Sequence, residues 1–126
     1  MKTFVAIILI LAFMVTLGII SDIFLGSIYN NMSDFTQQIK AAASEEDYER
    51  LWSIYEQMNK WWEKKERLLT VVIDHSHISD IDRSMSEIRS GIFGRESIEA
   101  LLAAARVETE VELISRNEHF NINNIL

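Results

Sequence analysis

The stretch "IKAAASEEDYERLW" (Ile39–Trp52) divides the chain. Up to Ala43 it consists of good helix formers. It then turns polar through Ser44, Glu45, Glu46 and Asp47, and apolar residues resume at Tyr48 and Leu51. Ser, Thr and Asp at a helix start accept hydrogen bonds from the first free N–H groups, and acids in the first turn favour the positive end of the helix dipole. The spacing therefore predicts one helix ending near Ala43 and a second beginning with Ser44 as its cap, with Asp47 completing a box-like pair.

Toward the N-terminus, Leu25, Ile28, Met32, Phe35, Ile39 and Ala42 recur at threes and fours, the period of one helical face. Before them, "FVAIILILAFMVTLGII" (Phe4–Ile20) carries no charge. With Met1–Thr3 and Ser21 it reaches the roughly 20 residues a helix needs to cross the hydrocarbon of a bilayer. The alternatives are a cleaved signal peptide and a buried core helix. Cleavage favours small residues in an A-x-A-like pattern, and "LGIISDIF" offers bulky Ile19 two positions before Ser21. The preferred reading is an uncleaved signal-anchor over residues 1–21 that runs on into a bundle without a break. Lys2 before the span, with no further base until Lys40, favours a cytoplasmic N-terminus and an extracytoplasmic domain over residues 22–126.

Toward the C-terminus a second stripe passes through Tyr48, Leu51, Tyr55, Met58, Trp62, Lys65, Leu69 and Val72. A third runs through Ile78, Ile81, Met85, Ile88 and Ile92, out of phase with the second, so a turn is expected at residues 74–77, with Ser79 and Asp82 as a capping box. "SGIFGRES" gives a stop at Gly94 and a fourth helix carrying Ile98, Leu101, Ala104 or Ala105, Val107, Val111 and Ile114. The tail "HFNINNIL" offers Phe120, Ile122, Ile125 and Leu126 for docking onto the bundle end. "IRSGIFGRESIEALL" (Ile88–Leu102) also aligns with the opening stretch if one insertion is allowed, pairing Ile39 with Ile88, Tyr48 with Ile98 and Leu51 with Leu101. The expected fold is all-α: an N-terminal transmembrane helix continuing into an antiparallel four-helix bundle made of two tandem helical hairpins.

Charge narrows the functions. The chain has nineteen acidic and twelve basic residues and a net charge of −7. That balance argues against nucleic acid as a partner, because binding to phosphate backbones depends on clustered positive charge. One cluster exists nonetheless. Lys60, Lys64, Lys65 and Arg67 fall in "NKWWEKKERLLTVV" (Asn59–Val72), beside Trp61 and Trp62. If the second helix folds back near residue 44, Phe35 meets Tyr55, Ile28 meets Trp62, and the helix returns to the level of Asp22 near residue 67. These six residues would then form a membrane-interface belt, since Trp and snorkelling Lys or Arg gather there. The competing reading makes Trp62 core and the lysines a solvated face.

"DHSHISDID" contains His75, His77 and Asp82, weak metal candidates whose types suit zinc or manganese but whose spacing does not. There is no cysteine, no nucleophile elbow and no Gly-rich phosphate loop. No cofactor and no catalytic residue is assigned, and an enzyme is not expected.

The apolar N-terminal helix, the "W..W" region from Tyr55 to Trp62 with Glu63, the "IDH..I" segment (Ile73, Asp74, His75, Ile78) and the closing "E.FN..NIL" (Glu118, Phe120, Asn121, Asn124, Ile125, Leu126) carry a resemblance. On them the chain resembles a family of small membrane-anchored bacterial proteins catalogued as domain of unknown function 4363. The resemblance implies an anchored helical architecture and no chemistry. The leading expectation is a non-enzymatic helical module that engages membrane lipid and another membrane or envelope protein. The alternatives are a metal-dependent enzyme using residues 74–82 and a tandem-hairpin peptide-binding receptor with a concave groove.

Overall fold

The computed structural model describes the backbone of residues 1–125 and the side chains of residues 1–116. It contains four helices: α1 (Lys2–Ser44), α2 (Tyr48–Val72), α3 (His75–Phe93) and α4 (Ser97–Ile125). No strand occurs among the described residues. The docking contacts expected of the tail side chains lie outside the described residues. Along the backbone, α4 continues as helix through Ile125.

α1 has two halves with different surroundings. Its most apolar 18-residue window is wholly exposed, whereas burial begins at Leu25 and continues through Ile28, Met32, Thr36, Ile39, Ala42 and Ala43. A core helix would be covered on at least one face, so the buried-core reading of Phe4–Ile20 fails. The N-terminal half stands clear of the bundle. It is long and apolar enough to cross a membrane.

The remainder forms a closed ring of four helices. α1 touches α2 and α4, and α3 touches the same two, leaving α1–α3 and α2–α4 on the diagonals. Because α4 packs extensively on α1, the hairpins seal against each other. The concave groove that a tandem-hairpin receptor requires is therefore absent among the described residues. Leu51, Met58, Trp62, Leu69, Ile78, Ile81, Ile88 and Val107 fill the core with the buried residues of α1.

The two hairpin turns superpose in sequence without any insertion. At the first, Asp47 N–H donates to the Ala42 carbonyl (3.0 Å) and Glu46 N–H to Ala43 (3.1 Å); at the second, Glu96 N–H donates to Gly91 (2.8 Å) and Arg95 N–H to Ile92 (3.2 Å). Each is a Schellman motif, and each places a non-glycine residue in the left-handed region, Glu46 and Arg95, both at φ 54°. The offset is 49 residues throughout. Ile39 pairs with Ile88 as expected, but Tyr48 pairs with Ser97 and Leu51 with Ala100. α3 ends at Gly94 as expected, but this C-cap is right-handed at φ −77°, and the left-handed residue of the turn is Arg95.

This register explains the altered face of α4. Its buried residues are Ala100, Ala103, Ala104, Val107, Val111 and Ile114, while Ile98 is 73% exposed. A Cβ on Gly91 would lie 2.7 Å from the Ala100 backbone nitrogen, so α3 and α4 approach there through a glycine and an alanine. Small residues mark the contact, with Leu101 partly buried against the core as expected and Ile98 outside it.

The helix starts also differ from expectation. Asp47, not Ser44, caps α2, accepting from Arg50 N–H at 3.2 Å. Asp74 caps α3, accepting from Ser76 N–H at 3.4 Å, so the break between α2 and α3 is Ile73–Asp74 alone. Ser79 and Asp82 lie within α3 and do not begin it. Asp precedes each helix at the position from which its carboxylate meets free N–H groups.

Candidate functional site

The basic stretch of α2 separates into two faces. Trp62 is 1% exposed and donates its indole N–H to Asp82 Oδ1 at 2.7 Å. It belongs to the core and is not part of any surface belt. Trp61 is half-buried, its ring 6.1 Å from that of Phe35 on α1, with Lys65 Nζ 5.9 Å above it. Phe35 therefore faces Trp61 and not Tyr55. The pseudo-repeat supports this register, because the equivalent pair on α3 and α4, Ser84 and Glu110, is hydrogen-bonded at 3.0 Å.

The Phe35–Trp61 contact also fixes height. From Asp22 to Phe35, α1 rises about 20 Å. With Phe35 and Trp61 taken as level, antiparallel α2 regains the level of Asp22 near its C-terminal end. Trp61 and Lys65 stand about 20 Å and 15 Å above that level, and Arg67 about 10 Å. Toward the base of the bundle Leu68 is 55% and Val71 85% exposed, and on α1 Ile23 is exposed as well.

Lys60, Lys64 and Arg67 recur at helical spacing on the outer face of α2, all exposed, and with Glu63 line an open depression of about 440 Å³. None of the three is ion-paired with another described residue; the ion pairs found use Lys40, Arg50, Arg83, Arg106 and Arg116.

Behind this face lies an acidic seam between α2 and α3. Asp82 accepts from Trp62 and is hydrogen-bonded to Glu66, and this shared proton, aided by partial burial and the charges of Asp82 and Glu63, pushes the Glu66 carboxyl up to about 7. Glu110 is also raised, by burial in the first place, against the opposing hydrogen bond from Ser84; its Oε2 has no hydrogen-bond partner among the described residues. The metal candidates do not converge. His75 is exposed at the start of α3, His77 is half-buried two residues later and therefore on the opposite side of the helix, and Asp82 is occupied by Trp62 and Glu66. No group of three or more His, Cys, Asp or Glu suited to a metal occurs among the described residues.

The outer face of α4 was not singled out by sequence reasoning. Ile98, Leu102 and Leu113 are exposed along it, with half-buried Ala105 between. The equivalent positions of α2 under the 49-residue offset are Glu49, Ser53, Lys64 and Glu56. One member of the repeat is polar where the other is apolar. Comparing the two helices at the correct offset would have revealed the stripe; the insertion in the expected alignment concealed it. At the far end of the bundle, exposed Phe93 stacks 4.9 Å from Trp52 and carries Arg89 at 5.4 Å, and Tyr48 Oη donates to the Arg95 carbonyl.

The family model described as Domain of unknown function (DUF4363) matches residues 19–125. This chain belongs to that family. The match starts at Ile19 and so covers the bundle together with the last residues of the apolar half of α1. No curated protein and no solved structure matches the chain.

Proposed function

We propose that this DUF4363 protein is a single-pass membrane-anchored helical module, non-enzymatic, that holds its bundle at the membrane surface and engages another membrane or envelope protein. The observation that carries the reading is α1: an exposed apolar half of bilayer-spanning length runs without a break into a half whose inner face is the bundle core. Lys2 at the start favours a cytoplasmic N-terminus and an extracytoplasmic bundle. The apolar stripe Ile98–Leu102–Leu113 supports the partner surface, because the polar face of α2 shows that the bundle does not itself require apolar residues there.

Photo-crosslinking in membranes tests it. A crosslinker at Leu102 should yield a discrete adduct with a membrane protein, and the same group at the equivalent Ser53 should not. Equal yields, or none, from both positions would count against a partner on α4.

A further inference from the structure

We infer that Lys60, Lys64 and Arg67 form a docking surface for the phosphate groups of anionic lipids, against which the bundle leans when α1 is in the bilayer. The inference rests on the anchored reading above and adds a ligand to it.

Four observations support it. First, these three bases share one face of α2 and one depression, in a chain where acids outnumber bases. Second, among the described residues they have no ion pair, although one would be expected. Glu63 and Arg67 have the favourable i, i+4 spacing, and the equivalent pair on α4, Glu112 and Arg116, is closed at 2.8 Å. On α2, Glu63 instead accepts from Asn59 at 3.3 Å, and Arg67 is exposed. Third, the bundle does not impose the patch, since the equivalents of Lys60 and Lys64 are Thr109 and Leu113. Fourth, the stripe is graded toward the membrane: exposed Leu68 and Val71 follow the bases toward the base of the bundle, and on α1 Ile23 is exposed as well.

The heights fit this ligand. Interfacial headgroup layers are about 5–7 Å thick on each side of the hydrocarbon. Arg67, about 10 Å above Asp22, reaches that layer by extending its side chain downward. Lys64 and Lys60 stand higher on α2 and are brought closer when the anchor tilts by about 20°, the usual value for a single span. Anionic surfaces attract bases within a Debye length of about 8–10 Å. Arg67 and Lys64 fall inside that range on a tilted bundle, so the charges set the direction in which it leans.

The full chain, reconstituted into vesicles, provides the test. All three tryptophans (Trp52, Trp61, Trp62) lie on α2, so energy transfer from them to a dansyl-labelled headgroup reports how closely α2 approaches the bilayer. Transfer should rise when phosphatidylglycerol is added to phosphatidylcholine, fall back in high salt, and lose the increment in K60Q/K64Q/R67Q. The charge-conserving K60R/K64R/R67K should keep it. Equal transfer with and without phosphatidylglycerol, or an unchanged increment in the Gln variant, would overturn the inference. So would loss of the increment to millimolar inorganic phosphate at constant ionic strength, which would mark a free-anion pocket. Flotation of the chain with both kinds of vesicle keeps these outcomes separate from failure of the anchor itself.

Discussion

At the scale of single residues, Trp62 and Glu66 illustrate how one turn of helix serves two purposes. Trp62 fills the core between α2 and α3, and its N–H is satisfied by Asp82. Truncating it removes a large buried ring and leaves Asp82 without that donor. Trp62→Ala should cost about 3–5 kcal/mol in chemical denaturation. Trp61→Ala, which exposes one edge of Phe35, should cost less than half as much. Similar losses for both would contradict the assignment of Trp62 to the core. Glu66 titrates near 7 when folded against an ordinary value of 4.5, so the folded state binds the extra proton. Its contribution to stability is complete below about pH 4.5 and is lost as pH rises through about 7. Glu66→Gln should flatten the stability profile between these limits relative to the parent. Parallel profiles for the two proteins would show that the Glu66–Asp82 hydrogen bond is not formed.

At the scale of elements, the lesson concerns turns and small residues. The helix count, the continuity of α1 and the third stripe were readable because apolar residues at threes and fours report a buried face directly. The α4 face was readable in part: Ala104, Val107, Val111 and Ile114 are buried as expected. Alanine gives little periodic signal, so Ala100 and Ala103 were passed over and exposed Ile98 was included, although close helix approach needs the smaller side chain. The stop at Gly94 was legible, since Gly94 is the C-cap of α3, but the left-handed conformation that usually calls for glycine falls on Arg95. Metal candidates in residues 74–82 shared only proximity in sequence; Asp74 serves as a cap and Asp82 as an indole acceptor. Two substitutions separate these roles. Gly91→Ala forces a methyl onto the Ala100 backbone and should destabilise by about 1–3 kcal/mol. Arg95→Gly relieves a left-handed arginine and should stabilise by up to about 1 kcal/mol. A neutral Gly91→Ala, or a destabilising Arg95→Gly, measured by thermal or chemical unfolding, would contradict the turn geometry.

At the scale of the whole molecule, one helix links the bundle to the membrane segment. The repeat unit begins where α1 enters the bundle: Gly26 is the equivalent of His75, the first residue of α3. Before Leu25 and Phe24, which still pack on the core, lies the exposed apolar half of α1. That half supplies no buried side chain to the bundle, and its length and composition suit a membrane span. The basic face of α2 and the apolar stripe of α4 lie at opposite ends of a diagonal of the bundle, and on the proposed reading the first meets headgroups and the second a protein. The claim on which both depend is that α1 remains attached and spans the bilayer. It is tested most directly by intact mass measurement on protein recovered from carbonate-washed membranes. The account predicts a membrane-bound chain that retains residues 1–21. A chain starting near residue 22 and recovered in the soluble fraction would contradict it.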